Sequence, residues 1–384
     1  MKKIMSILVI ALLLIATVSV VFASGKQPDR VRVFIEFKGK PDTNVVNENN
    51  GVLLHRYDIL DNVLAVELPV NALDGVLRNP NVVGVEFDAE VSISGRNGGG
   101  NTQPQPAQTL PWGVDRVDAE LASAAGVTGL GVTVCVIDTG VDKDHQDLQA
   151  NIAGGRNFVA KGATVDQSKW DDDNGHGTHV AGTIAAVDNT IGVVGVAHHA
   201  SLLAAKVLNR RGSGYLSDVI AGIDYCVSSG ADVVSMSLGT SSDVQAMHNA
   251  VDSAYASGVL LVAAAGNDYG GAVSYPAAYD SVVAVSATAN DDSLASFSSV
   301  GPEVELAAPG VSILSTWNDG YYNTISGTSM ATPHVSSVAA LAMQANPLLT
   351  NVEVRALLQN TADDLGVAGR DNYFGYGLVD AELQ

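Results

Sequence analysis

Between residues 130 and 310 the chain repeats one pattern, in which a short run of apolar residues is followed by a stretch with helical spacing. The runs VTVCVID, SLLAAKVL, DVVSMSLG and VLLVAAAG carry almost no polar alternation, which is typical of strands buried on both faces. Helical patterns of about 10 to 15 residues separate most of these runs. The alternation predicts an α/β domain with a parallel sheet and helices on both sheet faces. We expect polar residues at the carboxyl ends of such strands to form the site.

The first 23 residues have the composition of a secretory signal peptide. Two lysines precede the apolar stretch 4–22, which ends in Val21-Phe22-Ala23. A membrane anchor is the alternative, because the apolar run approaches spanning length. No basic stop-transfer cluster follows, so we predict that residues 1–23 are removed and that the protein is secreted.

Residues 24–93 predict a separate small α+β domain. The runs VRVFIEF and NVLAVELP and the stretch 82–91 have the patterns of strands, and residues 70–78 have that of a helix. Residues 94–106, SGRNGGGNTQPQP, are almost free of apolar side chains and predict a flexible linker that proteases can reach. The large domain would then span residues 107–384.

The net charge and the two cysteines predict which partners the protein does not bind and whether its thiols are free. The net charge of −21 predicts a surface that repels nucleic acid and anionic lipid, so neither is expected as a partner. No second apolar span follows residue 23, so we expect no membrane association after signal removal. Export would permit a disulfide, but Cys135 lies in an apolar strand and Cys226 in an apolar helical pattern. We therefore predict two buried free thiols.

Three segments place reactive residues at strand ends or helix starts. Asp138 closes the strand in VIDTGVD, His176 opens a helix in NGHGTHVAG, and Ser329 opens another in SGTSMATPHV. A serine hydroxyl becomes a nucleophile when an imidazole takes its proton and a carboxylate orients that imidazole. The joint occurrence of the three predicts a catalytic triad of Asp138, His176 and Ser329, in the chain order Asp, His, Ser.

Those three segments, together with AAAGN, resemble the signature segments of the subtilase family, and the resemblance runs from Ala107 to the C-terminus. It implies a subtilisin-like fold with a seven-stranded parallel sheet and the activity of a serine endopeptidase. Asp138 would be the orienting acid, His176 the general base and Ser329 the nucleophile. Asn267 would stabilise the oxyanion, together with the backbone N–H of Ser329.

The resemblance also implies how protein and peptide substrates bind. Substrate would lie as an extra strand between two edge segments, which match Gly212, Ser213 and Gly214 on one side and Ser237, Leu238 and Gly239 on the other. The primary pocket would have small walls and a polar base, from Ala264, Ala265, Gly266 and Ser274, with Asp268 at its rim. Leu216 and Val219 would build a second, apolar pocket. These features predict broad specificity with an apolar-leaning primary pocket.

Calcium is the metal that the resemblance implies. Side-chain oxygens would come from Gln108, Asp147 and Asn189, and carbonyl oxygens from Val187, Ile191 and Val193. Six oxygen ligands suit a hard cation. A weaker second site, for sodium or calcium, would use the carbonyls of Ala277, Tyr279 and Val282.

Residues 24–93 resemble the inhibitory propeptide of the family, which implies a self-processing zymogen in which this domain inhibits the enzyme and assists its folding. The first self-cleavage could fall near Ser94, followed by trimming, or directly near Ala107, and both alternatives stay open. The mature enzyme is expected to be a monomer.

Competing chemistries have weaker support. A zinc protease helix needs HExxH, whereas His176 and His179 are three residues apart. Asp171-Asp172-Asp173 lacks the later glutamate of a calcium loop, so we interpret it as a solvated acidic turn that raises the proton affinity of His176.

A catalytically silent scaffold and an esterase are the rival functions, but no triad residue is missing and Ser329 does not sit in G-x-S-x-G.

Overall fold

A computed structural model describes residues 29–93, 106–160 and 165–382. The predicted signal peptide and residues 94–105 of the predicted linker lie outside the described residues. Among the residues that are described, no helix is long and apolar enough to cross a membrane.

The N-terminal domain is an antiparallel sheet with two short helices. Its strands are β1 (Arg30–Phe37), β2 (Val52–Arg56), β3 (Val63–Pro69) and β4 (Val82–Phe87), in the order β2-β3-β1-β4, and its helices are α1 (Thr43–Glu48) and α2 (Leu73–Leu77). Alternate residues of β1, such as Val33, Ile35 and Phe37, are buried with Leu64 and Leu68 in a small apolar core. The predicted α+β domain is therefore present.

The single strand expected over residues 82–91 is wrong. The chain leaves the four-stranded sheet after Phe87, and β5 (Glu90–Ile93) joins strands of the large domain instead. Periodicity alone could not show this break, because both halves alternate as strands do.

The large domain is built on a seven-stranded parallel sheet, which confirms the predicted fold class. Its further strands are β6 (Thr133–Asp138), β7 (Ile152–Asn157), β8 (Ser201–Lys206), β9 (Ser213–Tyr215), β10 (Val233–Met236), β11 (Leu238–Gly239), β12 (Leu260–Ala264), β13 (Val282–Thr288) and β14 (Val304–Pro309). The sheet has the order β14-β13-β12-β10-β6-β8-β7. A hairpin of β15 (Ile313–Trp317) and β16 (Tyr321–Ile325) follows it.

Helices cover both faces of the parallel sheet, and apolar clusters fill the space on each side. The described helices of this domain are α3 (Trp112–Arg116), α4 (Ala119–Ala124), α5 (His176–Ala185), α6 (Leu216–Ser228), α7 (Gln245–Ala256), α8 (Thr328–Ala345) and α9 (Asn351–Thr361). Helix α8 is buried continuously from Thr328 to Ala342, so it is a central helix and not an amphipathic surface helix. Its small residues allow it to pack closely against α5 and the sheet.

The two cysteines form a disulfide, so the prediction of free thiols is wrong. Cys135 on β6 and Cys226 on α6 are fully buried and joined across one sheet face. Each sulfur is indeed in apolar surroundings, as predicted. Cys226 lies on the face of α6 that packs over β6, and this position brings its sulfur to that of Cys135. Sequence periodicity alone does not reveal such a contact.

Candidate active site

Three neighbouring strands bring polar residues to one edge of the parallel sheet. Asp138 is the last residue of β6, Ser237 follows β10 directly, and Asn267 lies three residues beyond β12. Strands β6, β10 and β12 are adjacent and parallel. Their carboxyl ends therefore meet, and the polar residues collect where a parallel sheet places its ligand sites.

His176 and Asp138 form a buried hydrogen-bonded pair. The His176 Nδ1 atom lies 2.8 Å from Asp138 Oδ1 and 2.9 Å from Oδ2. A carboxylate only accepts hydrogen bonds, so Nδ1 carries the proton and the neutral ring keeps Nε2 as its acceptor. That nitrogen is buried and has no hydrogen-bond partner among the described residues. The imidazole is thus oriented to receive a proton at Nε2.

Asp172 fixes the start of α5 beside Asp138, and its interpretation as part of a solvated turn is wrong. Its buried carboxylate accepts hydrogen bonds from the backbone of Asn174, Gly175 and Thr178 and from the hydroxyls of Thr139 and Thr178. The Thr139 hydroxyl in turn accepts from Gly177 N. Asp171 and Asp173 are exposed, as expected.

This anchoring requires close backbone approach at Gly177. A Cβ atom there would lie 2.1 Å from the carbonyl oxygen of Gly140 and 3.1 Å from Asp138 Cβ. Only glycine permits α5 to pack this tightly on the end of β6. The DxNGHG pattern, an aspartate followed two residues later by an asparagine that caps His176 N, was the available signal for Asp172.

Ser329 is the second residue of α8, and its position is fixed by Ser237. The Ser329 hydroxyl donates to the Ser237 carbonyl at 3.0 Å, and the Ser237 hydroxyl donates to the Ser329 carbonyl at 2.9 Å. Pro333 stands four residues later and has no N–H to donate back to the Ser329 carbonyl. The Ser237 hydroxyl therefore satisfies a carbonyl that the helix itself leaves unpaired.

Asn267 is oriented by Thr328, the residue before Ser329. Its side-chain oxygen accepts from both the backbone N–H and the hydroxyl of Thr328, each at 3.0 Å. Both hydrogen bonds use the side-chain oxygen of Asn267, so its NH₂ group points away from Thr328. The structure brings the predicted oxyanion donor and the predicted nucleophile to the same helix start.

The two predicted edge segments flank one strand, and that strand is β5 of this chain. Strand β5 pairs antiparallel with β9 through Val91 opposite Gly214, and with β11 through Ile93 opposite Leu238. The backbone N–H of Ile93 also donates to the carbonyl of Gly212 at 3.0 Å. The N-terminal domain thus places its last described strand in the predicted substrate groove.

The residues predicted for the two pockets lie on segments next to this groove. Val91 is buried in the same apolar cluster as Leu216 and Val219. Gly266 adopts the left-handed region at φ 112°, and a Cβ atom there would lie 2.6 Å from Ser274 Oγ and 2.9 Å from Ser299 Oγ. Ala264 and Ala265 are buried beside it, and Asp268 is exposed. Ser299 lies on a distant segment, and sequence reasoning missed it.

The three side chains of the predicted calcium site are adjacent. Asn189 Nδ2 donates to Asp147 Oδ1 at 2.6 Å, and Asn189 N donates to the Gln108 side-chain oxygen. Ala107 and Thr109 pair with Ile191 and Val193, which bear two of the predicted carbonyls. Asp147 is fully buried, and among the described residues no lysine or arginine pairs with it. Burial raises its pKa above the ordinary value. The carboxylate accepts hydrogen bonds from Asn189 Nδ2, Val193 N and the Tyr322 hydroxyl, all of them neutral donors. A buried carboxylate with no cationic partner, next to the side-chain oxygens of Gln108 and Asn189, fits a divalent cation.

The predicted second cation site has a poorer fit. Ala277, Tyr279 and Val282 line a cavity of about 490 Å³ together with the side chain of Arg355. The Arg355 guanidinium donates to the carbonyl of Val282 at 3.4 Å and to that of Asp280 at 2.9 Å. A cation bound to Val282 would have to displace this guanidinium.

Two further buried histidines, His179 and His334, lie on the helices α5 and α8 that also bear His176 and Ser329. His179 Nε2 donates to the carbonyl of Ile313 at 3.0 Å, and His334 Nδ1 donates to the carbonyl of Met330 at 2.8 Å. Burial lowers the pKa of His179 to about 3 and that of His334 to about 4. Both rings are therefore neutral at physiological pH. Among the described residues, no group of three His, Cys, Asp or Glu side chains is placed to hold a metal ion.

Comparison with known proteins agrees with this geometry. A model of the subtilase family, peptidase S8, matches residues 129–377. The M-protease of Shouchella clausii (strain KSM-K16) is 42% identical over 360 residues, which cover 93% of this chain and 88% of that protein. Subtilisin Savinase of Lederbergia lenta is 48% identical over 276 residues, 72% of this chain and 98% of that protein. The minor extracellular protease Epr of Bacillus subtilis (strain 168) is 41% identical over 369 residues, 94% of this chain and 55% of that protein.

The match to the peptidase S8 model and the similarity to these proteases show that the chain is a serine endopeptidase. The chain belongs to the subtilase family.

Proposed function

We propose that this chain is made as a secreted zymogen and that its mature part hydrolyses internal peptide bonds of proteins through an acyl-enzyme. The observation that carries the proposal is the hydrogen bond of Asp138 to His176 Nδ1, which leaves Nε2 as the basic nitrogen at the sheet edge where α8 presents Ser329.

In the proposed first step, His176 Nε2 takes the proton of Ser329 as Oγ attacks the scissile carbonyl. For this, Ser329 Oγ must exchange its bond to the Ser237 carbonyl for one to the imidazole, a side-chain rotation. Asp138 keeps the ring in the required tautomer and stabilises the imidazolium, which then protonates the leaving amine. Water repeats the sequence on the acyl-enzyme and releases the second product.

The negative oxygen of the tetrahedral intermediate would be stabilised by Asn267 and the backbone N–H of Ser329. The fixed oxygen of Asn267 supports this role, because its NH₂ group is preoriented before substrate arrives. The N–H groups at the start of α8 add the positive end of a helix dipole.

Substrates would bind where β5 now lies. The pairing of β5 with β9 and β11 supports recognition through the main chain, and main-chain recognition accepts many sequences. Val91 supports an apolar preference in the pocket of Leu216 and Val219. The small residues around Gly266 leave room for a sizeable apolar side chain in the primary pocket. We infer broad specificity with this apolar bias.

Residues 24–93 would act as the inhibitory propeptide, since their last strand excludes substrate from the groove. Of the two alternatives for the first cut, this supports the bond after Ser94, because Ser94 follows Ile93 directly. The segment at Ala107 is tied instead to the loop of Ile191 and Val193. Removal of residues 95–106 would then be a later cut, made by another enzyme molecule.

Calcium would be held by Gln108, Asp147 and Asn189 and by the carbonyls of Val187, Ile191 and Val193. Its charge would compensate the buried Asp147 carboxylate, and its ligands would tie the mature N-terminus to the loop that follows α5. We propose that the mature enzyme acts outside the cell as a monomer.

The test uses the full chain and its S329A and N267A variants. Wild type should cleave itself after Ser94, digest casein and be labelled by a serine-directed phosphonofluoridate, whereas S329A should do none of these. N267A should lose about 10²- to 10³-fold in kcat, the range known for one oxyanion donor in subtilisin. A wild-type protein that labels but does not digest casein would favour an esterase. One that fails to label would favour a silent scaffold.

A further inference from the structure

The N-terminal domain contacts α6 through a cluster of four ionisable side chains, which we name the Asp218 cluster. It consists of Arg32 and Asp88 from β1 and the end of β4, His55 from β2, and Asp218 from the first turn of α6. Arg32 Nη2 lies 3.0 Å and His55 Nε2 lies 2.7 Å from the same oxygen, Oδ1, of Asp218. Arg32 Nε is also paired with Asp88 at 2.9 Å. One guanidinium thus bridges carboxylates that belong to two domains.

Burial makes these charges dependent on one another. The Asp88 side chain is fully buried and that of Asp218 is 7% exposed. Two carboxylates facing each other in such surroundings repel strongly unless a cation lies between them. Arg32 supplies that cation: its Nη2 donates a hydrogen bond to Asp218, whereas its contact with Asp88 is an ion pair through Nε that lacks hydrogen-bond geometry. Without Arg32 the docked state would carry two uncompensated carboxylates.

The start of α6 also depends on the docked domain. Asp88 Oδ1 accepts from Ser217 N at 3.0 Å, and Asp88 Oδ2 accepts from the Ser217 hydroxyl at 2.6 Å. The side chain from the N-terminal domain thus caps a helix of the large domain. Arg32 holds that capping carboxylate in place.

We propose that Arg32 and His55, by pairing with Asp218, determine how long the propeptide stays bound to the enzyme after self-cleavage. The proposal rests on the proposed function of residues 24–93 as an inhibitor. Once the covalent link is cut, the groove strand β5 offers the same main-chain contacts as any substrate, and the Asp218 cluster supplies contacts that substrates lack. Dissociation must leave Asp218 without its two partners, so it is slowed.

The experiment measures the lag between self-cleavage and the onset of casein hydrolysis in full-length precursors, with each lag normalised to the final rate at the same pH. R32Q and D218N should each shorten the lag roughly 30-fold, because each breaks a buried charge pair. The double variant should shorten it by less than the product of the two single effects, since both substitutions remove the Arg32–Asp218 interaction. D252N is the control, because Asp252 on α7 is exposed and bonds to Ser281 and His248 within the large domain. It removes a carboxylate charge away from the contact with the N-terminal domain, so its lag should stay within about twofold of wild type.

A gel of the processed fragments shows which variants have folded and cut themselves. R32K keeps the positive charge but not the planar guanidinium, so it should shorten the lag less than R32Q does. If the R32Q precursor does not cleave itself, the comparison of R32K and D218N with wild type tests the proposal instead. H55Q removes the second partner of Asp218 and leaves the Arg32 guanidinium in place, so it should shorten the lag by less than R32Q does. Equal lags for wild type, R32Q and D218N, or fully additive effects, would overturn the proposal. A wild-type precursor that never cleaves itself would instead overturn the proposed zymogen.

Discussion

Ser237 and Ser329 exchange two hydrogen bonds across the edge of the parallel sheet, and each residue uses both its hydroxyl and its carbonyl. The exchange exists because Pro333 removes the helical partner of the Ser329 carbonyl. A residue outside the predicted triad therefore fixes the backbone of the predicted nucleophile.

Replacing Ser237 with alanine should lower the free energy of unfolding by about 1–3 kcal/mol, because the buried Ser329 carbonyl loses its donor. Urea unfolding in the S329A background, where self-digestion is absent, measures this. Substituting alanine for Pro333 restores an N–H to the same carbonyl, so S237A should cost less in P333A. An equal cost in both backgrounds would contradict the account of Pro333.

Replacing Asp172 with alanine should destabilise the protein by about 3 kcal/mol or more. The substitution leaves buried N–H groups at Gly175 and Thr178 without an acceptor and loosens α5 against the end of β6. The neighbouring exposed Asp171 is the control, and D171A should change stability by no more than about 0.5 kcal/mol. Urea midpoints of both variants in the S329A background provide the comparison, and similar values for the two would refute the anchoring role.

Stability should fall as the solution is acidified below about pH 6.5. The pKa values of His179 and His334, about 3 and about 4, are depressed by burial, so the unfolded chain binds protons that the folded chain does not. Stability from each ring is complete above the unfolded pKa and is lost, by up to about 1.4 kcal/mol per pH unit, as pH falls towards the folded value. Urea titrations between about pH 7 and 4.5 measure the slope. H334Q removes one of these groups and should flatten it, and an unchanged slope would exclude His334 as a contributor.

Loss of the Cys135–Cys226 disulfide should lower stability by about 4–5 kcal/mol, because the bond closes a loop with a sequence separation of 91 residues. C135A/C226A in the S329A background should unfold at lower temperature than its parent. A reductant should lower the Tm of the parent and leave that of the double variant unchanged. Two reactive thiols in the unfolded, unreduced protein would show that the bond does not form.

A calcium chelator should lower the Tm of the S329A precursor, and calcium should restore it. The gain on adding calcium grows as RT ln(1 + [Ca²⁺]/Kd). D147N removes the buried carboxylate and should make the Tm insensitive to calcium. Asp144, three residues earlier and exposed, gives the control D144N, which should respond as the parent does. A D147N protein that still responds fully would exclude the proposed site.

The order of elements in the large domain could be predicted from the sequence because strands buried on both faces leave uninterrupted apolar runs. Strands such as β6, β10 and β12 satisfy that condition. Strand β7 was missed, since IAGGRN at the sheet edge has few apolar residues and two glycines. The break between β4 and β5 was also missed, because alternation does not reveal which sheet a strand joins.

The residues proposed for catalysis were found because the chemistry of a serine nucleophile limits the choice to a hydroxyl, an imidazole and a carboxylate at strand ends and helix starts. The local sequence around Asp138, His176 and Ser329 determined these candidates by itself. Only the tertiary structure decided the rest: the Cys135–Cys226 bond, the hydrogen bond of Thr139 to Asp172, the occupation of the groove by β5 and the pairing of Arg32 with Asp218. Each joins segments far apart in the chain, and such contacts depend on packing and burial, which leave no periodic trace in the sequence.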